Sequence, residues 1–164
     1  MVPDSKPQSE AKAMDSKRPY LIRCTSCRTK NRIPAEKINS RPVCGKCKIP
    51  LKIQDAFNNR PVEVTENTFE SQIVNSPVPV LAVFWAPWCT ACQAVLPAVD
   101  RIASNLAGRI KVAKINMEQN PALASRFQVM SVPFMIIFDN GVEKDSMAGA
   151  ASETDILKKL APYH

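Results

Sequence analysis

Six cysteines fall into three C-x-x-C pairs, Cys24/Cys27, Cys44/Cys47 and Cys89/Cys92, and none is left over. In a reducing compartment such pairs mean metal ligands or redox couples rather than a structural disulfide framework. Their spacing then divides the chain. Sixteen residues separate Cys27 from Cys44, whereas Cys89 stands far downstream, at the end of an apolar run.

Residues 1–60 carry 14 Lys/Arg against 5 Asp/Glu, and residues 61–164 carry 8 against 10. A basic N-terminal third and a nearly neutral remainder suggest two units with different partners. A chain of 164 residues has room for one small and one compact domain. The longest apolar stretch, about Pro77 to Trp88, is too short to span a bilayer and holds three prolines. The polar N-terminus lacks the apolar segment of a secretory signal. The expected location is the cytoplasm, with no membrane partner.

Residues 1–19 read as a disordered tail, and residues 20–54 as a small unit with too few apolar residues to fold without a staple. Residues 55–61 read as a linker and residues 62–164 as an α/β domain. Within that domain "PVPVLAVFW" has the continuous apolarity of a strand buried on both faces. Val95, Val99, Ile102 and Leu106 recur at helical spacing up to Gly108, with a kink expected at Pro97. "RIKVAKIN" is the next strand, completing a βαβ unit. Asn120 followed by Pro121 reads as a helix cap, and "FDNGV" as an Asn-Gly hairpin. Ser152 with Asp155 opens a last helix. The expected order is β-α-β-α-β-α-β-β-α, a mixed central sheet with helices on both faces.

Cys24, Cys27, Cys44 and Cys47 have the spacing of a tetrahedral four-cysteine site for one structural Zn²⁺. Gly45 is expected to let the second knuckle bend. Arg23, Arg28, Lys46 and Lys48 are expected to offset the charge of four thiolates around one zinc ion. The alternative is a pair of redox disulfides or free thiols. Aromatic residues for stacking bases are scarce here, only Tyr20 and Phe57 flanking the knuckles. The basic charge therefore reads as a solvated face rather than a nucleic-acid surface.

Cys89 falls between a buried strand and a helix start, where unpaired N–H groups and the helix dipole lower a thiol pKa. Cys92, one turn on, can resolve a mixed disulfide formed at Cys89. A third metal half-site lacks ligands, since the one histidine is His164.

The motifs "FWAPWC..C", "VAKINMEQNPALASRFQV", "VPF" and "FDNG" resemble the thioredoxin family, and with the upstream knuckles its zinc-bearing thioredoxin 2 group. The resemblance implies a thioredoxin-like fold and reduction of protein disulfides, with Cys89 as nucleophile and Cys92 as resolving thiol. It implies a cis-proline at Pro133 and substrate-groove positions at Val132 and Gly149. Trp85 and Trp88 would pack beside the pair, and Lys114 would lie beneath it. The implied partners are disulfide-containing proteins and an NADPH-dependent thioredoxin reductase.

Two features depart from the family pattern. Thr90-Ala91 replaces Gly-Pro between the cysteines, which predicts a less reducing couple. Val83 stands where the family carries a buried acid that helps deprotonate the resolving cysteine. Both departures keep open a more oxidising exchange or isomerase activity. A zinc-dependent redox-sensing binding module or holdase is the reading from another class.

Overall fold

The computed structural model describes residues 18–164; the tail reading for residues 1–17 lies outside the described residues. Ten regular elements follow in chain order. They are β1 (Tyr20–Arg23), β2 (Lys30–Ile33), β3 (Val62–Glu63), β4 (Val80–Trp85), α1 (Thr90–Asn105), β5 (Lys111–Asn116), α2 (Pro121–Arg126), β6 (Phe134–Asp139), β7 (Val142–Ala148) and α3 (Glu153–Leu160). Segment Glu70–Val74, which falls at the first helix of the expected order, is a single π-helical turn.

The unbroken apolarity of β4 follows from its place at the centre of a sheet ordered β3-β5-β4-β6-β7. It pairs in parallel with β5 and antiparallel with β6. Alternation along β4 sends Val80, Ala82 and Phe84 into one apolar layer with Phe69, Ile73 and Leu123. Leu81 and Val83 enter the opposite layer, under α1 and α3, with Val95, Val99, Ile102, Ile156 and Leu160. Each fully buried aliphatic chain contributes about 1.5–3 kcal/mol relative to exposure, so the two layers dominate the fold's stability.

Helix α1 runs unbroken through Pro97, with Val95, Val99 and Ile102 on its buried face. Asn140 and Gly141 both adopt positive φ, 56° and 74°, as the two-residue hairpin between β6 and β7 requires. Ser152 caps α3 by accepting from Asp155 N, as its sequence suggested. Asn120 does not cap α2 with its side chain. Its amide oxygen accepts from Glu66 N and its amide nitrogen donates to Asn116 O. Glu66 in return accepts from Ala122 N, so a distant carboxylate serves the helix start. A local motif was outbid by a tertiary one.

The N-terminal unit is a zinc-ribbon-like hairpin, β1 antiparallel to β2, followed by a second knuckle. Its core contains Ile22, Ile33, Leu51 and Ala56 together with Val78 from just before β4. Ala56 belongs to the stretch read as linker, yet it is fully buried and its carbonyl accepts from Gly108 N. Gly108, at φ +83°, also leaves room for the Tyr20–Phe57 ring pair, since a Cβ there would lie 2.5 Å from the Phe57 ring.

Candidate active site and four-thiol cluster

Strand β4 ends at Trp85, and Ala86, Pro87 and Trp88 turn the chain into α1. Cys89 is the N-cap of α1, with extended backbone (φ −82°, ψ 105°). The N–H groups of a first helical turn have no intrahelical acceptor. Cys89 Sγ supplies one, accepting from Cys92 N at 3.0 Å. That N–H and the helix N-terminus favour negative charge on the sulfur. Cys89 and Cys92 are joined as a disulfide, with Cα atoms 5.2 Å apart.

The pair is covered by the loop before β6. The Val132–Pro133 peptide is cis, and Val132 O lies 3.6 Å from Cys89 Sγ. Gly149, at φ +82°, donates its N–H to Pro133 O at 2.9 Å. Cys89, Cys92 and Ala86 form a small buried cluster with Trp85, Met117 and Val132 against it. Trp88 is 67% exposed and Met130 91% exposed, so an apolar rim stands open beside the sulfurs. Trp88 Nε1 donates to Glu118 Oε1. Thr90 and Ala91 lie exposed in the first turn of α1.

Val83 is buried among aliphatic side chains, 1% exposed. Its neighbour across the β4–β5 ladder is Lys114. Lys114 Nζ pairs with Glu63 at 3.1 Å and lies 5.5 Å from the centre of the Trp85 ring. Trp85 Nε1 is buried and lacks a partner among the described residues. Thus Trp85, Trp88, Thr90, Ala91, Val132, Pro133 and Gly149 gather around or beside the Cys89/Cys92 pair. Lys114 sits one strand away, engaged with Glu63.

The other four cysteines lie at the opposite end of the sheet. Their Sγ atoms all fall within 4.8 Å of one another, with Cys24–Cys47 at 3.5 Å and Cys27–Cys44 at 3.6 Å. A tetrahedral zinc ion with Zn–S near 2.3 Å holds sulfurs about 3.8 Å apart, so the donor set fits that ion. The two knuckles are built alike. Arg28 N donates to Cys24 O and Lys48 N to Cys44 O. Arg28 and Lys48 supply the left-handed turn, at φ 62° and 64°. Gly45, expected to make the bend, does not adopt positive φ; its N–H donates to Asn31 Oδ1. Backbone N–H groups of Cys47 and Lys46 and the Asn31 amide bring Cys44 down to about 6, against the opposing effect of burial. Hydrogen bonding with the Thr29 side chain and backbone lowers the Cys27 pKa.

Sequence reasoning missed the work of two arginines. Arg23 was expected to compensate thiolate charge, yet its guanidinium pairs with Asp139 at the end of β6, 3.3 Å away. Arg28 donates to Asn140 Oδ1 and to the Val74 and Ser76 carbonyls. Arg23 N also donates to Pro77 O. The first knuckle is therefore clamped to the sheet. The only local signal was their position beside cysteines, which suited either role. Strand β4 lies between the two thiol sites, and six strand residues span about 20 Å. They cannot exchange disulfides within one chain.

Among the described residues no helix is long and apolar enough to cross a membrane. The thioredoxin family model matches residues 60–162, and the model described as "Thioredoxin 2, N-terminal" matches residues 23–48. The chain is 43% identical over 101 residues to thioredoxin 1 of Nostoc sp., covering 62% of this chain and 94% of that protein. It is 40% identical over 97 residues to thioredoxin 1 of Synechococcus elongatus, covering 59% and 91%. Among solved structures, a mutant thioredoxin from Halobacterium salinarum aligns with a TM-score of 0.60 at 31% identity, covering 66% of this chain and 94% of that one. The disulfide at the N-terminus of α1, the cis-proline loop above it and these matches place the chain in the thioredoxin family, with a thioredoxin 2-type ribbon at its N-terminus.

Proposed function

We propose that this thiol–disulfide oxidoreductase works as a protein-disulfide reductase, with residues 62–164 as the catalytic domain and residues 20–54 as a zinc ribbon. The observation carrying this reading is that Cys89 caps α1 and accepts the Cys92 N–H while lying under the Val132–Pro133 loop. In the reduced protein the Cys89 thiolate attacks one sulfur of a substrate disulfide. A Cys89–substrate bond forms and the other substrate sulfur leaves as a thiolate. Cys92, after losing its proton, attacks Cys89 Sγ. The Cys89–Cys92 bond forms, the second substrate thiolate leaves, and two electrons have passed to the substrate.

Trp88, Met130 and Val132 offer the apolar rim against which a polypeptide substrate lies, and the Gly149 backbone borders it. An NADPH-dependent thioredoxin reductase returns the pair to the dithiol. Cys24, Cys27, Cys44 and Cys47 would hold one Zn²⁺ in a closed shell. A closed shell leaves no position for substrate, so the ion is structural and supplies folding free energy to the ribbon.

The test is turnover of a disulfide-containing protein with NADPH and thioredoxin reductase. Cys89→Ser should abolish turnover, and Cys92→Ser should trap the mixed disulfide. A Cys89→Ser variant retaining turnover sinks the proposal. The burial of Val83 in place of an acid favours a second reading, a more oxidising couple suited to disulfide exchange or isomerisation. The reduction potential separates them. A value near about −270 mV supports the reductase, and one near about −180 mV the exchange enzyme.

A further inference from the structure

Lys111 opens β5 at the end of the sheet remote from the redox pair, where its N–H donates to Pro79 O. It is only 3% exposed. Its ammonium has three donors. One reaches Gln72 Oε1 at 2.6 Å, and among the described residues the other two meet no protein acceptor or carboxylate. A buried cation without an ion-pair partner is costly and uncommon.

The space beside it is a polar cleft of about 430 Å³, large enough for a small hydrated ligand. Its two walls come from different units. Thr25, Lys52 and Asp55 line the ribbon side, and Ser71, Gln72 and Lys111 line the sheet side. Hydroxyl and amide groups therefore converge with two lysines and one carboxylate, leaving a net positive charge. Asp55 acts on Lys111 through space and favours its charged form, but it is exposed and outside ion-pair contact.

We propose that this cleft is a binding site for a small oxyanion of the phosphate class, with Lys111 as its buried anchor and Lys52 at its mouth. The anion supplies the acceptors that Lys111 lacks and bridges the ribbon to the sheet. The site plays no part in thiol exchange, because β4 lies between it and Cys89.

The experiment is equilibrium dialysis of labelled inorganic phosphate against the full-length, zinc-loaded protein, with ionic strength held constant by chloride. One phosphate per chain is expected, with saturation. Lys111→Met, which keeps the length and apolar stem of the side chain, should weaken binding at least about tenfold, the loss of a charge-assisted contact. Asp55→Asn should tighten binding severalfold by removing a like charge from the cleft. Absence of saturable uptake overturns the proposal. So does uptake unchanged by Lys111→Met, or an Asp55→Asn variant that binds no tighter. Should Lys111→Met fail to fold, exposed Lys52→Met takes its place. A loss of about threefold is then expected, and an unchanged affinity overturns the proposal.

Discussion

Val83 and Lys114 face each other across the parallel β4–β5 ladder, an aliphatic side chain beside a cation already held by Glu63. Nothing at Val83 can accept the proton that Cys92 must lose. The sheet layer under α1 is therefore better packed for stability than for proton transfer.

Val83→Asp should reverse that balance. Burying a carboxyl group there costs about 1–3 kcal/mol, read as a lower denaturation midpoint. Resolution of the mixed disulfide should become faster and gain a pH dependence from the new acid. A resolution rate equal to that of the parent across pH would remove Val83 from the mechanism.

Ala91 occupies the second position of α1, where a backbone N–H has no intrahelical acceptor. Such donors stabilise the thiolate of the reduced form, and stabilising the reduced form makes a couple more oxidising. Proline fits the first turn without breaking the helix. Ala91→Pro should therefore make the potential more negative by about 30 mV, or ~1.4 kcal/mol for two electrons. Equilibration with glutathione reads the change, and a shift in the positive direction would refute the argument.

Arg23 and Asp139 are each less than a fifth exposed, so their pair is more than a surface contact. Asp139→Ala leaves the guanidinium without its anion and should cost about 1–3 kcal/mol. Loosening of the ribbon should appear as faster protease cleavage within residues 55–61. The reduction potential should not move, because Asp139 ends β6 away from the cis-proline loop that begins it. Cleavage at the parental rate would show that the clamp does not rest on this pair.

Burial lowers the Lys111 pKa from its ordinary 10.5, with Asp55 pulling the other way. A lysine whose folded value lies below its unfolded value binds fewer protons when folded. Unfolding free energy then rises with pH between the two values. Relative to Lys111→Met, the parent protein should gain stability as pH climbs through that window toward 10.5, and show a flat difference below it. Denaturant midpoints in phosphate-free buffer measure this. A difference that falls with rising pH would contradict the sign.

The cysteine spacing and the periodicity of the strands and helices were enough to place a four-thiol site, a redox pair at a helix start and a mixed sheet in order. These features are local or periodic, so residue type and interval carry them. The Asn-Gly hairpin and the Ser152 cap belong to the same class. What the sequence could not declare were choices among equivalent partners. Asn120 is an ordinary cap residue until Glu66 arrives from 54 residues away. Arg23 and Arg28 stand beside metal-binding cysteines in the chain, yet in the fold they reach Asp139 and the Val74–Ser76 carbonyls. Lys111 is one of two lysines in β5, and only the ribbon packed against the sheet makes it a buried ammonium at the edge of a cleft. Short-range geometry is written in the interval between residues. Long-range pairing depends on which surfaces close over one another, and that was decided when the ribbon docked at one end of the sheet and left the Cys89/Cys92 pair at the other, beside the exposed Trp88.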